Sequence, residues 1–209
     1  MLIKRIINSI VAAALCLYMQ ACTSVDSKKA KPLKMVDKAT MRLIRSLLVQ
    51  DSFLLSSKGS YSKPIVSHLR PVNLITDYPK SNVPALPKTF DITLRQLLYY
   101  KHQGIPFFSQ RDSLFLIQQH QNQHTGLVDT TLFAADDFFW LQDKENRAWP
   151  KEHLDYFRFS LPLFSQDSTK AYIQMDHNCA GGCGGGVAYF LKKEKGMWRK
   201  IFAARRWFN

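Results

Sequence analysis

Acidic residues are scarce in this chain: 16 aspartates and glutamates stand against 29 lysines and arginines in 209 residues, a formal charge of +13. That balance favours anionic surroundings without identifying them. A long apolar run is also missing. A bilayer-spanning helix needs roughly 20 apolar residues, and residues 6–18 supply only thirteen, which argues against a simple spanning anchor. No stretch carries a catalytic or cofactor-binding pattern of high specificity, so no catalytic residue and no cofactor is assigned. The glycine run at 181–186 is not a phosphate loop, because no Gly-Lys-Ser/Thr follows it and a strand comes next. Cysteine numbers four, without the local signatures of cysteine enzymes. What the chain does have is apolar content, 46%, enough for one ordinary core and too little for two once a leader and a linker are set aside. One domain is expected over residues 36–209.

Lys4 and Arg5 give the chain a basic start, the apolar run follows, and Met19-Gln20-Ala21-Cys22 ends it. The segment resembles the signal peptide and lipobox of bacterial lipoproteins, in which a small residue precedes the cysteine that is acylated and becomes the new amino terminus. Met19 and Gln20 depart from the commonest form of that box. The resemblance implies a signal peptide over 1–21, acyl chains on Cys22, and a lipid-anchored protein of the cell envelope, at the outer rather than the inner membrane. The blander reading, an ordinary secretory signal with an incidental cysteine, also takes the protein out of the cytoplasm. With Lys4 and Arg5 removed, the mature charge is 27 − 16 = +11. Residues 22–35, with Ser24, Ser27, Lys28, Lys29, Lys31 and Pro32, hold too little apolar surface to bury and read as a flexible tether.

From Val36 the spacing turns helical. Asp37 can cap, and Leu43, Ile44, Leu47 and Leu48 fall on one face suited to packing on a sheet. Residues 56–89 contain Pro64, Pro71, Pro79, Pro84 and Pro87, which leave room only for short extended pieces such as 65–69 and 72–75. Residues 92–100 predict a short helix broken at Gln103-Gly104-Ile105-Pro106, and Ser109-Gln110-Arg111-Asp112 predicts a capping box opening the next. That helix runs into His120 and His124, one turn apart. Two histidines so placed can share a metal, but Gln121 stands where a zinc peptidase has its glutamate base, and a polar exposed helix end is the preferred reading. Asp136 and Asp137 are adjacent acids of the kind a glycosidase pairs across a sugar, yet sequence neighbours usually point apart; solvated acids beside buried rings are preferred.

From Tyr156 the period drops to two. Segments 156–160 and 161–164 read as strand, 166–169 as a turn, and Ala171, Ile173 and Met175 alternate with Tyr172, Gln174 and Asp176. After the glycines, Val187, Tyr189 and Leu191 continue as strand, Lys195-Gly196 turns, and residues 198–207 return. The prediction is α+β: amino-terminal helices packed on a carboxy-terminal antiparallel meander of at least four strands. This end, in residues 170–172, 179–186, 189–191 and Gly196-Met197-Trp198, resembles uncharacterised lipoproteins of Gram-negative envelopes, in which a Cys-and-Gly turn joins two strands and Gly-x-Trp opens the last. That resemblance implies an address and a sheet, and no activity. A weaker likeness is to the closing strands of curved sheets of the ketosteroid-isomerase type.

If residues 180–182 form a hairpin loop, Cys179 and Cys183 face each other across the strand ends at a separation a disulfide accepts. So short a ring contributes only roughly 2 kcal/mol in the chain-entropy model. Two alternatives need free thiols. His177, two residues from Cys179, can activate it as a nucleophile beside the glycine amides, or Cys179, Cys183 and His177, with Asp176, can hold zinc. Finally, Lys192, Lys193, Lys195, Arg199, Lys200, Arg205 and Arg206 interleave with Trp198, Phe202, Trp207 and Phe208. Cations beside rings suit nucleic acid in the cytoplasm. An exported chain meets anionic lipid or acidic glycan instead, and a solvated outer face is the commonest explanation. The functional expectation is therefore a binding or scaffolding module for an anionic partner, more a binder than an enzyme, whose protein partners the sequence does not name. The alternative is a hydrolase or thiol enzyme with its site near residues 179–186.

Overall fold

The computed structural model describes residues 34–50, 64–76, 91–133, 140–141, 155–179 and 183–208. The leader, Cys22, most of the tether, Asp136 and Asp137 lie outside these residues. Described first are β1 (Lys34–Met35) and α1 (Lys38–Gln50). The Asp37 carboxylate accepts from the Thr40 amide at 2.7 Å, satisfying a donor that the first helical turn leaves without an intrahelical partner. Leu43, Ile44, Leu47 and Leu48 are fully buried along one face. Lys34 and Met35, which the sequence places in the tether, pair in parallel with Gly126 and Leu127. A two-residue strand has no periodicity of its own to betray it. Val36 follows so closely on that pairing that a Cβ on Gly126 would lie 2.5 Å from Val36 Cγ1, a separation only glycine permits.

Next come β2 (Ile65–Val66), β3 (His68–Leu69), β4 (Asn73–Ile75) and β5 (Asp91–Thr93), and then α2 (Leu94–Tyr99). Here the capping box is Thr93 with Gln96: the Thr93 hydroxyl accepts from the Gln96 amide and the Gln96 side chain accepts from the Thr93 amide, each at 3.0 Å. The hairpin of β6 (Lys101–His102) and β7 (Ile105–Pro106) turns on Gln103 and Gly104, at φ 52° and 79°, the pair of left-handed residues a two-residue type I′ loop requires. In α3 (Asp112–Asn122) the box predicted at Ser109 is only half formed. The Ser109 hydroxyl donates to the Asp112 carboxylate at 2.7 Å in place of accepting from the helix. Asp112 also accepts the amides of Ser109 at 2.7 Å and Gln166 at 2.9 Å, which ties the helix start to a distant loop.

The rest is β8 (Gly126–Leu127), a 3-10 turn (Thr130–Phe133), β9 (Trp140–Leu141), β10 (Tyr156–Phe159), β11 (Leu163–Phe164), β12 (Lys170–Asn178), β13 (Gly185–Glu194) and β14 (Met197–Phe208). Among the described residues the main sheet runs β14-β13-β12-β10-β2-β9, with β11 beside the first half of β12. The first four of these are antiparallel neighbours, the expected minimum. β2 and β9 then add to the sheet in parallel, which no local pattern announces. The fold is α+β. Its helices precede the meander but are interleaved with short strands instead of gathered at the amino terminus.

Both faces of β12 are covered. Ala171, Ile173 and Met175 share a core with the α1 leucines, Tyr189, Leu191 and Trp198. On the other face Tyr172 packs with Leu97, Phe107, Phe108, Leu116 and Phe190. Gln174 and Asp176, whose alternation with apolar residues suggests a wet face, are 0% exposed. β14 is an outer strand, and the last residue of α1 serves part of its free edge. Gln50 Nε2 donates to the Trp198 carbonyl at 2.6 Å, and the Lys200 amide donates to Gln50 Oε1 at 3.0 Å.

Candidate functional site

Antiparallel register builds the cysteine turn. His177 stands opposite Gly185, and continuing that pairing by two residues brings Cys179 opposite Cys183. The two are joined as a disulfide, Cα atoms 5.6 Å apart. Residues 180–182 lie outside the described residues. The thiol and zinc readings both need free sulfurs, whereas these are bonded to each other. His177 has an orienting carboxylate that sequence reasoning missed: its Nε2 lies 2.5 Å from Asp155 Oδ1. Asp155 stands just before β10, and the β10–β12 register carries it beside His177. No spacing rule links residues 22 apart, so only the strand pairing could have found it. The Phe157 ring packs 4.9 Å from the imidazole. Both side chains keep some solvent access, at 22% for His177 and 45% for Asp155.

The other histidine pair does not assemble. α3 ends at Asn122 and Gln123 turns extended at ψ 131°, so His124 lies past the helix and does not share a face with His120. His120 Nδ1 instead lies 2.9 Å from the Val72 carbonyl, fastening the helix to the extended segment before β4. Among the described residues no three His, Cys, Asp or Glu side chains come close enough together to hold a metal ion.

A polar row runs under the second core. Gln174 Nε2 donates to the Tyr172 hydroxyl at 2.6 Å, and Arg206 Nη1 donates to Gln174 Oε1 at 2.6 Å. The other Arg206 nitrogen donates to the Asp91 carbonyl, joining β14 to β5 across the sheet face. Arg158 stands opposite Asp176 in the same row, and both are buried. Burial pushes the Tyr172 phenol up to about 12, so it stays neutral and serves as a hydrogen-bonding group. Chemically this row is a set of ties between strands, buried from Tyr172 to Asp176 and half-buried at Arg206.

The basic segment is different, because it lies at the surface. Lys170, Lys192 and Arg199 are register partners across β12, β13 and β14 and so share one face. Lys192 and Arg199 are exposed. Asp167 lies near enough to Lys170 to feel its charge; its own pKa is lowered by hydrogen bonds from the Ser165 hydroxyl and the Thr169 amide, with Lys170 adding the smallest contribution. Lys193 and Lys200 lie on the opposite face, their ammonium groups 5.9 Å and 5.8 Å from the Trp198 and Tyr189 ring centres. Lys195 and Gly196, at φ 49° and 82°, form the tight turn of the β13–β14 hairpin, and Met197 beside it is 55% exposed. Trp198 is only 5% exposed and belongs to the core, so it offers no platform for a base. Compared with family models, curated proteins and solved structures, the chain matches none.

Proposed function

We propose that this protein is a lipid-anchored envelope protein whose domain binds or scaffolds an anionic partner, with Cys22 as the acylated residue. The observation that supports the reading is the register of Lys170, Lys192 and Arg199, three cations side by side on adjacent strands. Like charges placed directly opposite one another destabilise a sheet, and an anion laid across the row relieves that repulsion. The test is retention of the purified protein on an immobilised sulfated polymer at rising salt. Retention that falls steeply with salt, and that falls further in K192Q/R199Q, supports the reading. Salt-independent passage through the column removes it.

A second reading takes the Asp155–His177 pair, 2.5 Å apart, as half of a thiol or hydrolytic site that opens when the Cys179–Cys183 bridge is reduced. Its test is turnover of ester and thioester substrates by the reduced protein. Turnover unchanged in H177A and C179S would take both residues out of any site.

A further inference from the structure

Residues 192–200 hold Lys192, Lys193, Lys195, Arg199 and Lys200 against Glu194 alone, five cations and one anion. β12 begins at Lys170, opposite Lys192, so β13 and β14 continue past it as a two-stranded tip. The placement of charge on this tip is unusual for a groove or a flat binding face. Lys192 and Arg199 stand at its base, level with Lys170, on one side; Lys193 lies past them on the other side, and Lys195 caps the end, while Lys200 is a rung further back with its ammonium beside the Tyr189 ring. An extended soluble polyanion lying on the sheet would meet only one of these sides. A phosphate layer entered end-on would meet Lys195 and the cations nearest it on both sides, Lys193 on one and Lys192 with Arg199 on the other. Met197, one residue from the turn and 55% exposed, adds an apolar group at the apex, where a sulfated or carboxylated glycan has nothing to offer it.

We infer that the β13–β14 tip docks end-on into an anionic bilayer surface, the cations among lipid phosphates and Met197 at the acyl boundary. This deepens the reading given under Proposed function and rests on it. Juxtaposed cations gain from the negative surface potential of such a bilayer, and the interaction fades within a Debye length, so the tip itself must reach the headgroups.

The experiment uses the full-length lipidated protein carrying Met197→Cys, labelled without reductant with an environment-sensitive fluorophore, on vesicles that contain a lipid-borne quencher. Leu132→Cys is the reference position, 55% exposed and next in the chain to Phe133, which packs 4.9 Å from Trp140 in β9, at the edge of the sheet away from β14. The expected result is quenching at position 197 on phosphatidylglycerol-containing vesicles and not on phosphatidylcholine alone, with position 132 unquenched on both. Neutralising two cations in K192Q/R199Q should shift the docking equilibrium about 30-fold toward the undocked state. An unquenched label at 197 on anionic vesicles overturns the docking, and equal quenching on neutral vesicles overturns the role of the charges. If the sulfated polymer still binds in a salt-dependent manner, only the bilayer assignment falls. If it does not, the wider anionic reading falls with it.

Discussion

Tyr172 is 0% exposed, and its hydroxyl accepts the side-chain amide of a residue equally buried, Gln174. Tyr172→Phe keeps the ring in place and strands that amide, a loss of about 1–3 kcal/mol that urea unfolding at neutral pH will read. The same residue contributes to the alkaline limit. Its folded pKa of about 12 stands above the ordinary 10.0. Between those values the unfolded chain releases the phenolic proton while the folded chain keeps it, so this contribution is complete below pH 10 and is lost as pH rises toward 12. Tyr172 should lower stability there by up to about 1.4 kcal/mol per pH unit, so the fall should be shallower in Tyr172→Phe, where Tyr100, also raised by burial, still contributes. Gln174 and Asp176 also mark where sequence reasoning stops at this scale. Alternation identifies which residues share a face, but it does not say that a second layer, with Leu97 of α2, Leu116 of α3 and the Phe107–Phe108 pair, packs on the polar one.

At the scale of elements, Gln50 shows a helix doing the work of a strand: one side-chain amide supplies the donor and the acceptor that the edge of β14 would otherwise seek from a neighbour. Gln50→Ala should lower the urea midpoint by an amount equivalent to about 1 kcal/mol. It should also make light scattering depend more steeply on protein concentration, because an opened edge can pair with another chain. The meander itself was legible because its turns are local, with Lys195-Gly196 and the Asp167 turn each set by residues adjacent in sequence. The Ser109 start was read as a full cap and is half of one, since the Ser109 hydroxyl donates to the Asp112 carboxylate instead of accepting from the helix; the bond from the Gln166 amide to the same carboxylate comes from far along the chain and left no local sign. The parallel partners of β10 and β8 were invisible for the same reason. Ile65–Val66 falls in the extended piece expected at 65–69, but nothing local chose its parallel partner, and Lys34–Met35 is two residues, too short for any period to register.

For the molecule as a whole, the disulfide is a local pin on a sheet held elsewhere by two packed cores. Replacing Cys179 and Cys183 together with serine should reduce stability by about 2 kcal/mol, as should reductant on the wild type, and leave near-UV circular dichroism of the core unchanged. Loss of that signal would mean the turn holds more of the sheet than its small ring implies. The candidate site divides along the same line. Its cations were legible as a list, but their arrangement in register on two sides of a projecting tip depends on strand pairing and on which rings the core withdraws, Trp198 above all. The bond between Gln50 and Trp198 spans 148 residues of chain. A ribosome or an export channel delivers the chain from its amino end, so α1 emerges well before β14. The leucine face of α1 therefore has no finished surface to close on until β14 arrives, and the core cannot be completed from the front. A helix made early waits for a strand made late, so a chain stopped short of β14 lacks the surface that α1 closes on.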